Sequence, residues 1–411
     1  MLKIKRTQVN DLLTFVAILI AFVCSTNAEL LHTKNVVVYY FPFAVCALAL
    51  VVELFSSKKF SVHPYILWRI GFLALLSFSV LYAISSANAF FSVKRYLLQS
   101  FVVLLLCVKI SKKPQYTDTV IKMFILAAFA SLVYVYSIVD VTALLEDNFR
   151  LGASSLNEAW NANSIGMMSS LSCILTIYFL IFRVKKRSGF KSGVAIALIA
   201  FFAASSILSG SRKSIALIVV TLLVYIILHS PRHIFRNIVI VLFIVGLVLY
   251  LLFAVPFLYN HIGYRFESLF EIFSDGSSDN SSIMRQDMIR VGWDAFFDKP
   301  LLGYGANCFL TIYDEIAEFA GYAHNNYIEL LVDLGLIGFA VYYAFIFKNL
   351  LIVKYDSKNK EVKYLKSVMV ALLISDIGMV SYYDGVYQYV LCLIICMLIN
   401  IKNFQHKRVV Y

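Results

Sequence analysis

A histidine and two carboxamides stand directly before a long apolar segment of the sequence. His324, Asn325 and Asn326 precede a run that continues as YIELLVDLGLIGF to Phe339. An imidazole titrates near neutral pH and can act as a general base. A histidine at a membrane boundary can also serve only as an amphipathic ring at headgroup level. Both interpretations remain open when this residue is considered alone.

Arginines occur at comparable boundaries between polar and apolar sequence. Arg212 lies in the turn SGSRKS between two apolar segments, Arg150 and Asn163 precede the sixth such segment, and Arg265 and Arg285 lie in a long polar stretch. A guanidinium fork matches the oxygens of a phosphate or diphosphate. The alternative for Arg212 is a side chain that snorkels at a helix end. The alternative for Arg150 and Arg265 is a loop salt bridge.

The apolar segments that carry these residues predict an integral membrane protein. Of the 411 residues, 61% are hydrophobic and only 15% are charged, and the mean hydropathy is +0.81. Soluble proteins carry about 25% charged residues, and roughly 20 apolar residues cross a bilayer. The sequence predicts an all-α, polytopic membrane protein with about twelve transmembrane helices, at residues 11–27, 35–55, 64–85, 93–110, 117–140, 162–183, 190–208, 212–229, 234–257, 326–348, 364–381 and 385–401.

The distribution of charge predicts the orientation of the chain. Most of the 36 Lys and Arg residues fall in every second connection, starting with MLKIKR at the N-terminus. Cytoplasmic loops carry such an excess, so both termini are expected in the cytoplasm. The chain carries a net charge of +12. Because the basic residues are distributed in this way, the charge does not indicate a nucleic-acid partner.

One connection is much longer than the others. We expect residues 1–257 to hold helices 1–9, residues 258–323 to form one large extracytoplasmic loop between helices 9 and 10, and residues 324–411 to hold helices 10–12 and a cytoplasmic C-terminus. Long loops are often lids or binding segments. Within this loop, SIMRQDMIRVGWDAFF has the pattern of an amphipathic helix and EIFSDGSSDNSS that of a flexible turn.

No metal or cofactor is expected from the sequence. Cys392 and Cys396 are four residues apart in an apolar segment without a histidine beside them, which favours packing over zinc. GYGAN lacks the Lys and Ser/Thr of a phosphate-binding loop, and DGSSDN lacks the spacing of an Asp-x-Asp metal motif. The seven cysteines fall mostly in apolar segments and indicate no disulfide framework.

Three motifs follow one another between residues 150 and 350. They are the SGSR turn with Arg212, Arg285 before Pro300-x-x-Gly303-x-Gly305, and His324-Asn325 followed after nine residues by Gly335-x-x-Gly338. Together with the long loop, they resemble the O-antigen ligase and O-antigen polymerase superfamily of bacterial envelope enzymes.

The resemblance implies a metal-independent glycosyltransferase at the extracytoplasmic face of the bacterial inner membrane. The donor would be a glycan linked to undecaprenyl diphosphate. His324 would be the general base, Arg212, Arg285 and Arg265 would bind the diphosphate, and Asn325, Arg150 and Asn163 would support the site. Gly335 and Gly338 would admit another helix or the prenyl chain, or would serve ordinary small-residue packing.

The shared motifs fit two related reactions. A polymerase joins repeat units of an O-antigen, capsule or exopolysaccharide, with a flippase and a chain-length regulator as partners. A ligase transfers the finished glycan to lipid A core or another glycolipid acceptor. The Lys-, Ile-, Phe- and Asn-rich composition favours the polymerase. A lipid-linked oligosaccharide flippase or transporter is an alternative without enzymatic activity, but such proteins place charged residues on broken helices at mid-membrane.

Overall fold

The structure is a computed structural model of the chain. It describes residues 6–26, 36–56, 62–140, 142, 149–152, 161–184, 188–229, 233–264, 267, 280–317, 321–352 and 359–409. All statements below concern these residues.

Helices account for most of the described chain. In order they are α1 (Arg6–Thr26), α2 (Val36–Phe55), α3 (Pro64–Ser79), α4 (Ser86–Lys112), α5 (Thr117–Ile138), α6 (Ala162–Phe182), α7 (Gly189–Leu208), α8 (Arg212–His229), α9 (Ile234–Ala254), α10 (Asn280–Asp298), α11 (Phe309–Ala317), α12 (Asn326–Ile352), α13 (Lys360–Ser375) and α14 (Gly385–Val409). Short helical turns follow α4 and α9, at Pro114–Tyr116, Pro256–Leu258 and Tyr259–Gly263.

The expectation of a polytopic all-α membrane protein is confirmed. Each of the twelve expected segments coincides with a helix, and nine helices of the described chain are long and apolar enough to cross a membrane: α1, α4, α5, α6, α7, α8, α9, α12 and α14. Of the remaining three, α2 and α3 offer shorter apolar stretches of 17 and 16 residues, Tyr39–Phe55 and Pro64–Ser79. The third, α13, begins with the polar sequence KEVKYLK.

Helix α6 lies inside the bundle and α9 lies at its edge. Most of α6 is buried against α7 and α8, whereas α9 buries little of its very apolar surface. Because consecutive long helices run in alternating directions, the starts of α4, α6, α8, α12 and α14 meet the ends of α7 and α13 at one end of the bundle. We call this the His324 end, after the residue that precedes α12.

Part of the long connection folds back onto α12. The amphipathic segment expected around residues 282–297 is helix α10. Its apolar face forms a small core with α11 and the start of α12, made by Met288, Val291, Ala295, Phe309, Tyr313, Ala323, Ile328 and Val332. Gly292 allows α10 to approach α12, because a Cβ there would overlap the side chain of Ile328.

Helix α12 is interrupted at Gly335, and the segment after α10 is bound in the interruption. Gly335 has φ +61° and ψ −166°, far from helical values. The N–H groups of Tyr304 and Gly305 donate to the carbonyls of Val332 and Asp333, at 2.9 and 2.8 Å. The N–H of Leu336 donates to the carbonyl of Pro300 at 2.8 Å. The loop backbone thus satisfies the groups that the broken helix leaves unpaired, as buried backbone requires.

The two glycine motifs are therefore the two sides of one contact. A Cβ on Gly335 would overlap the backbone of Leu301, and a Cβ on Gly303 would overlap that of Asp333. The close neighbour at Gly335 is thus the Pro300–Gly305 segment, and neither another helix nor a prenyl chain takes that place. A Cβ on Gly338 would overlap Leu334 of α12 itself.

We predict that Gly335→Ala destabilises the protein. The substitution forces a side chain into a left-handed conformation, which alone costs about 1–3 kcal/mol, and it displaces the docked loop. Gly246→Ala in α9 is the control, since nothing lies within 4 Å of a Cβ there. In thermal unfolding in detergent, only Gly335→Ala should lower the midpoint markedly. Equal midpoints would contradict the role of this contact.

Candidate functional site

The start of α12 holds the backbone around His324 in place. The side-chain oxygen of Asn325 accepts bonds from the N–H groups of Tyr327 and Ile328, at 3.0 and 3.2 Å, which makes Asn325 the N-cap of the helix. The N–H of Asn326 donates to the carbonyl of Asp376 at 2.8 Å. Asn325, expected as a supporting residue, thus fixes the helix start next to the histidine.

His324 itself has an unusual backbone conformation. Its φ is +52°, in the left-handed region that few residues other than glycine adopt. The half-buried imidazole packs against the ring of Tyr322, with 4.0 Å between the ring centroids. On its N-terminal side, the N–H of Ala323 donates to the Glu329 carboxylate at 2.7 Å. The conformation is therefore held from both sides.

The turn that carries Arg212 packs tightly against the start of α6. Gly210 has φ +60°, which lets the chain reverse between α7 and α8. A Cβ added to Gly166 would overlap the hydroxyl oxygens of Ser209 and Ser214. The glycine at this position therefore sets how closely α6 approaches the turn, and with it the position of Arg212 at the first residue of α8.

Arg150 also lies at this turn. Its Nε donates to the carbonyl of Ser209 at 3.3 Å, and the N–H of Leu151 donates to the carbonyl of Leu208 at 2.8 Å. The structure therefore brings Arg150 next to the SGSR segment. Arg150 therefore also positions the backbone of the turn, in addition to the phosphate-binding and salt-bridge roles considered from the sequence.

Positive charges surround His324. Burial, together with the positive charges of Arg285 and Lys213, lowers the pKa of His324 from its usual value near 6.5 to about 4. The Asp384 carboxylate interacts electrostatically with the Lys213 ammonium, and it also accepts the N–H of Tyr387 at 2.8 Å in the first turn of α14. The imidazole is thus neutral at pH 7 and faces a predominantly cationic surrounding.

The structure unites several of the residues expected from the sequence and leaves others apart. His324 and Arg285 interact, and Arg212 begins the helix that also carries Lys213. Asn163 lies half-buried in the first turn of α6, where its N–H donates to the Asn161 side chain at 2.8 Å. Arg265 lies outside the described residues.

Sequence reasoning missed Lys213 and Tyr322, which interact with the histidine, and Asp384, which interacts with Lys213. Lys213 was noticeable as a positive charge at the end of an apolar segment, yet Arg212 alone was included in the expected site. Asp384 and Tyr322 gave no local signal, because an aspartate before a helix usually serves only as a cap and tyrosines are common at membrane boundaries.

One further cluster has ligand chemistry, at the opposite end of the bundle. Ligand atoms of His63, Cys107 and Cys396 lie within 4.8 Å of one another, and all three residues are buried. The Cys107 sulfur lies 3.3 Å from His63 Nδ1, and the Cys396 and Cys392 sulfurs are 3.9 Å apart. The sequence-based expectation that these cysteines lack a neighbouring histidine is therefore wrong in three dimensions. The cluster does not contact the residues around His324.

Fold and site together define a class: a multi-pass helical membrane protein with His324 and several cations collected at one end of its bundle. Residues 197–343 match the family model described as O-Antigen ligase, which confirms the resemblance. The match runs from within α7 to within α12 and includes Arg212, Arg285 and His324.

A comparison with curated proteins gives no match. The family match supports a glycosyltransferase-like role in polysaccharide assembly, with a lipid-linked glycan and an acceptor as the general kinds of substrate. Arg150, Asn163 and Asp384 fall outside the matched residues.

We predict that the function of Asn325 depends on its capping oxygen. Asn325→Ser keeps an N-cap acceptor and should retain activity and stability, whereas Asn325→Ala should lose about 1 kcal/mol of stability and a larger share of activity, because His324 is adjacent. Thermal midpoints and glycosyl transfer by membranes that carry each variant provide the measurement. Equal loss in both variants would instead indicate a role for the amide nitrogen.

Proposed function

We propose that the protein is a glycosyltransferase that polymerises lipid-diphosphate-linked repeat units of a bacterial surface polysaccharide. The observation that carries the proposal is the half-buried His324 directly before α12, on which the positive charges of Arg285 and Lys213 act. A neutral imidazole can accept a proton, and neighbouring cations suit a diphosphate leaving group. The match of residues 197–343 to the O-antigen ligase family supports the same chemistry.

The chemistry requires one proton acceptor and one anion site. In our proposal, an acceptor hydroxyl attacks the anomeric carbon of the donor and gives its proton to His324. The bond from that carbon to the diphosphate oxygen breaks, and the lipid diphosphate leaves with both bonding electrons. Because the diphosphate ester supplies the driving force, the reaction needs no nucleotide.

The start of α8 is suited to the departing diphosphate. Arg212 and Lys213 are the first two residues of this helix, and a helix N-terminus carries a partial positive charge and favours anions. Arg285 adds a second guanidinium, and Arg265 remains a candidate from the sequence. Cations that are held in place before the reaction stabilise the charge that develops on the leaving oxygen.

The diphosphate would also raise the basicity of the histidine. In the absence of substrate, the pKa of His324 is about 4, which makes the imidazole a weak base. A bound dianion offsets the charges of Arg285 and Lys213, so the pKa of His324 rises in the complex. The base would then become effective only when the donor is present.

Two alternatives lead to different measurements. A ligase would transfer a finished glycan to lipid A core or another acceptor, and would not lengthen a chain built from repeat units. A flippase would leave glycan length unchanged. The interruption of α12 resembles the broken helices of transporters, but the backbone of Pro300–Gly305 fills it, which argues against a solute site there.

The proposal places the reaction at the extracytoplasmic face of the bacterial inner membrane. The His324 end would face outward if the positive-inside rule holds for this chain. Repeat units delivered by a flippase would reach the site there, and a chain-length regulator would be a further partner. Genes for these two partners beside the coding gene would favour polymerase over ligase.

We predict that His324→Asn abolishes chain extension while the protein remains folded. Asparagine tolerates the left-handed conformation but offers no basic nitrogen, and general base catalysis contributes about 10²–10⁴-fold. The assay uses purified protein and lipid-linked repeat units, with products separated by length. Arg290→Gln, on an exposed part of α10, is the control. Near-normal extension by His324→Asn would exclude the histidine as the base.

The pH dependence provides a separate test. The fall of kcat/KM at acidic pH, its acidic limb, reports the free enzyme, so its midpoint should lie near the low pKa of His324. The acidic limb of kcat reports the complex, in which the bound diphosphate raises this pKa, so its midpoint should lie at higher pH. Arg285→Gln removes one cause of the lowered pKa. The kcat/KM limb of this variant should therefore move to higher pH, while that of Arg290→Gln should not. A limb that stays in place or moves to lower pH would contradict this electrostatic coupling.

A further inference from the structure

A recess lies at the His324 end, on the side of the start of α6 that faces away from the SGSR turn. Its volume is about 120 Å³, and its walls come from the end of α1 and the starts of α2, α4, α6 and α14. A recess of this size admits several waters or the hydroxyl-bearing edge of a sugar ring.

One polar atom in this recess has no partner. Gln99 is 6% exposed and lines the recess. Its side-chain nitrogen donates to the carbonyl of Tyr383 at 2.5 Å, which fixes the orientation of the amide, and its oxygen makes no hydrogen bond within the described chain. A buried acceptor without a donor is costly. This oxygen is itself buried, and a shift of the amide toward the recess would let it accept a hydrogen bond from a bound hydroxyl.

The other polar groups in the recess also suit hydroxyls. Asp384 offers a carboxylate, which accepts hydrogen bonds from hydroxyls and repels phosphate. Arg95 supplies donors, and its guanidinium lies over the Tyr383 ring at 4.7 Å from the centroid. Tyr39 and Tyr389 add aromatic surface. Acceptors, donors and aromatic rings together fit a polyhydroxylated, uncharged group.

The recess is connected to the residues around His324 through two elements. Asp384 lines it and interacts with Lys213, which in turn acts on His324. On α6, Ser164 and Ile165 face the recess, while Gly166 packs against the SGSR turn. A group bound in the recess would thus lie across the start of α6 from the SGSR turn, without competing for Arg212 and Arg285.

We propose that this recess binds the non-reducing terminal sugar of the acceptor glycan, with Gln99, Arg95 and Asp384 as its hydrogen-bonding residues. The inference rests on the proposed function. The donor is held by its diphosphate next to its reacting carbon, whereas the reacting end of the acceptor carries only hydroxyls and needs a site without surplus positive charge. Arg95, Gln99 and Asp384 would then determine which sugar is extended, and they act on the acceptor only.

The test separates acceptor from donor. The acceptor probe is the lipid-free repeat-unit oligosaccharide, released by mild acid from the same lipid-linked unit that serves as donor. Arg95→Gln and Gln99→Leu should raise the KM for this oligosaccharide about tenfold or more, as expected for a lost hydrogen bond to a charged or buried group. Hydrolysis of the donor in the absence of acceptor should stay within about twofold of wild type, which also shows that each variant is folded. Lys94→Gln is the matched control, since Lys94 lies near the Tyr40 and Phe91 rings instead.

Each outcome decides the proposal. An unchanged acceptor KM in Arg95→Gln and Gln99→Leu would overturn the acceptor site and leave the proposed transferase function intact. A fall in donor hydrolysis with an unchanged acceptor KM would assign the recess to the donor and would equally overturn the acceptor site.

If wild type transfers no sugar, the proposed function fails, and saturation-transfer NMR with the oligosaccharide alone then tests whether the recess binds a sugar. A signal lost in Arg95→Gln but kept in Lys94→Gln supports a sugar site, and equal signals overturn it.

Discussion

The architecture of the site depends on three buried polar side chains on one face of α12. Asn326, Glu329 and Asp333 follow the helical spacing i, i+3, i+7 and are fully buried. Each accepts hydrogen bonds from the backbone of a different segment. The Asn326 oxygen binds the N–H groups of Ser381 and Tyr382, Glu329 binds that of Ala323, and Asp333 binds those of Asn307 and Phe309, all at 2.7 to 3.0 Å. Since a buried polar group without a partner is costly, the helix can be stable only when all three segments are in place.

This constraint explains how residues far apart in the sequence reach one place. The segment bound by Glu329 carries His324, the one bound by Asn326 leads to Asp384, and the one bound by Asp333 joins the end of α10 to α11. Helix α10 in turn carries Arg285. The left-handed backbone conformation of His324 is unfavourable by itself. It persists because the N-cap and the hydrogen bond from Ala323 to Glu329 hold the backbone in place on both sides of His324. The geometry of the candidate site and the folding of the chain thus depend on the same contacts.

The sequence predicts the helices well and the contacts between them poorly. Hydropathy is a local property, so all twelve apolar segments coincide with helices, and the amphipathic pattern gives α10. The motifs also make Arg212, Arg285 and His324 the site candidates, because their residue types are unusual beside apolar segments. The docking of Pro300–Gly305 into the break at Gly335 is different, since each glycine taken alone is equally consistent with simple packing. Asp333 illustrates the same limit: nothing near it in the sequence indicates the N–H groups of Asn307 and Phe309 that it binds.

The electrostatic arrangement around His324 also restricts which groups the site can accommodate. The positive charges of Lys213 and Arg285 hold the pKa of the imidazole down, and the Asp384 carboxylate acts on Lys213 with the opposite sign. A cation or a second neutral base would gain nothing at the His324 side, whereas a dianion would be stabilised there by two fixed charges and a helix N-terminus. On the far side of Asp384, the recess around Gln99 combines this carboxylate with the guanidinium of Arg95 and carries no surplus positive charge. A charged leaving group and an uncharged hydroxyl-bearing partner would therefore be directed to opposite sides of one carboxylate.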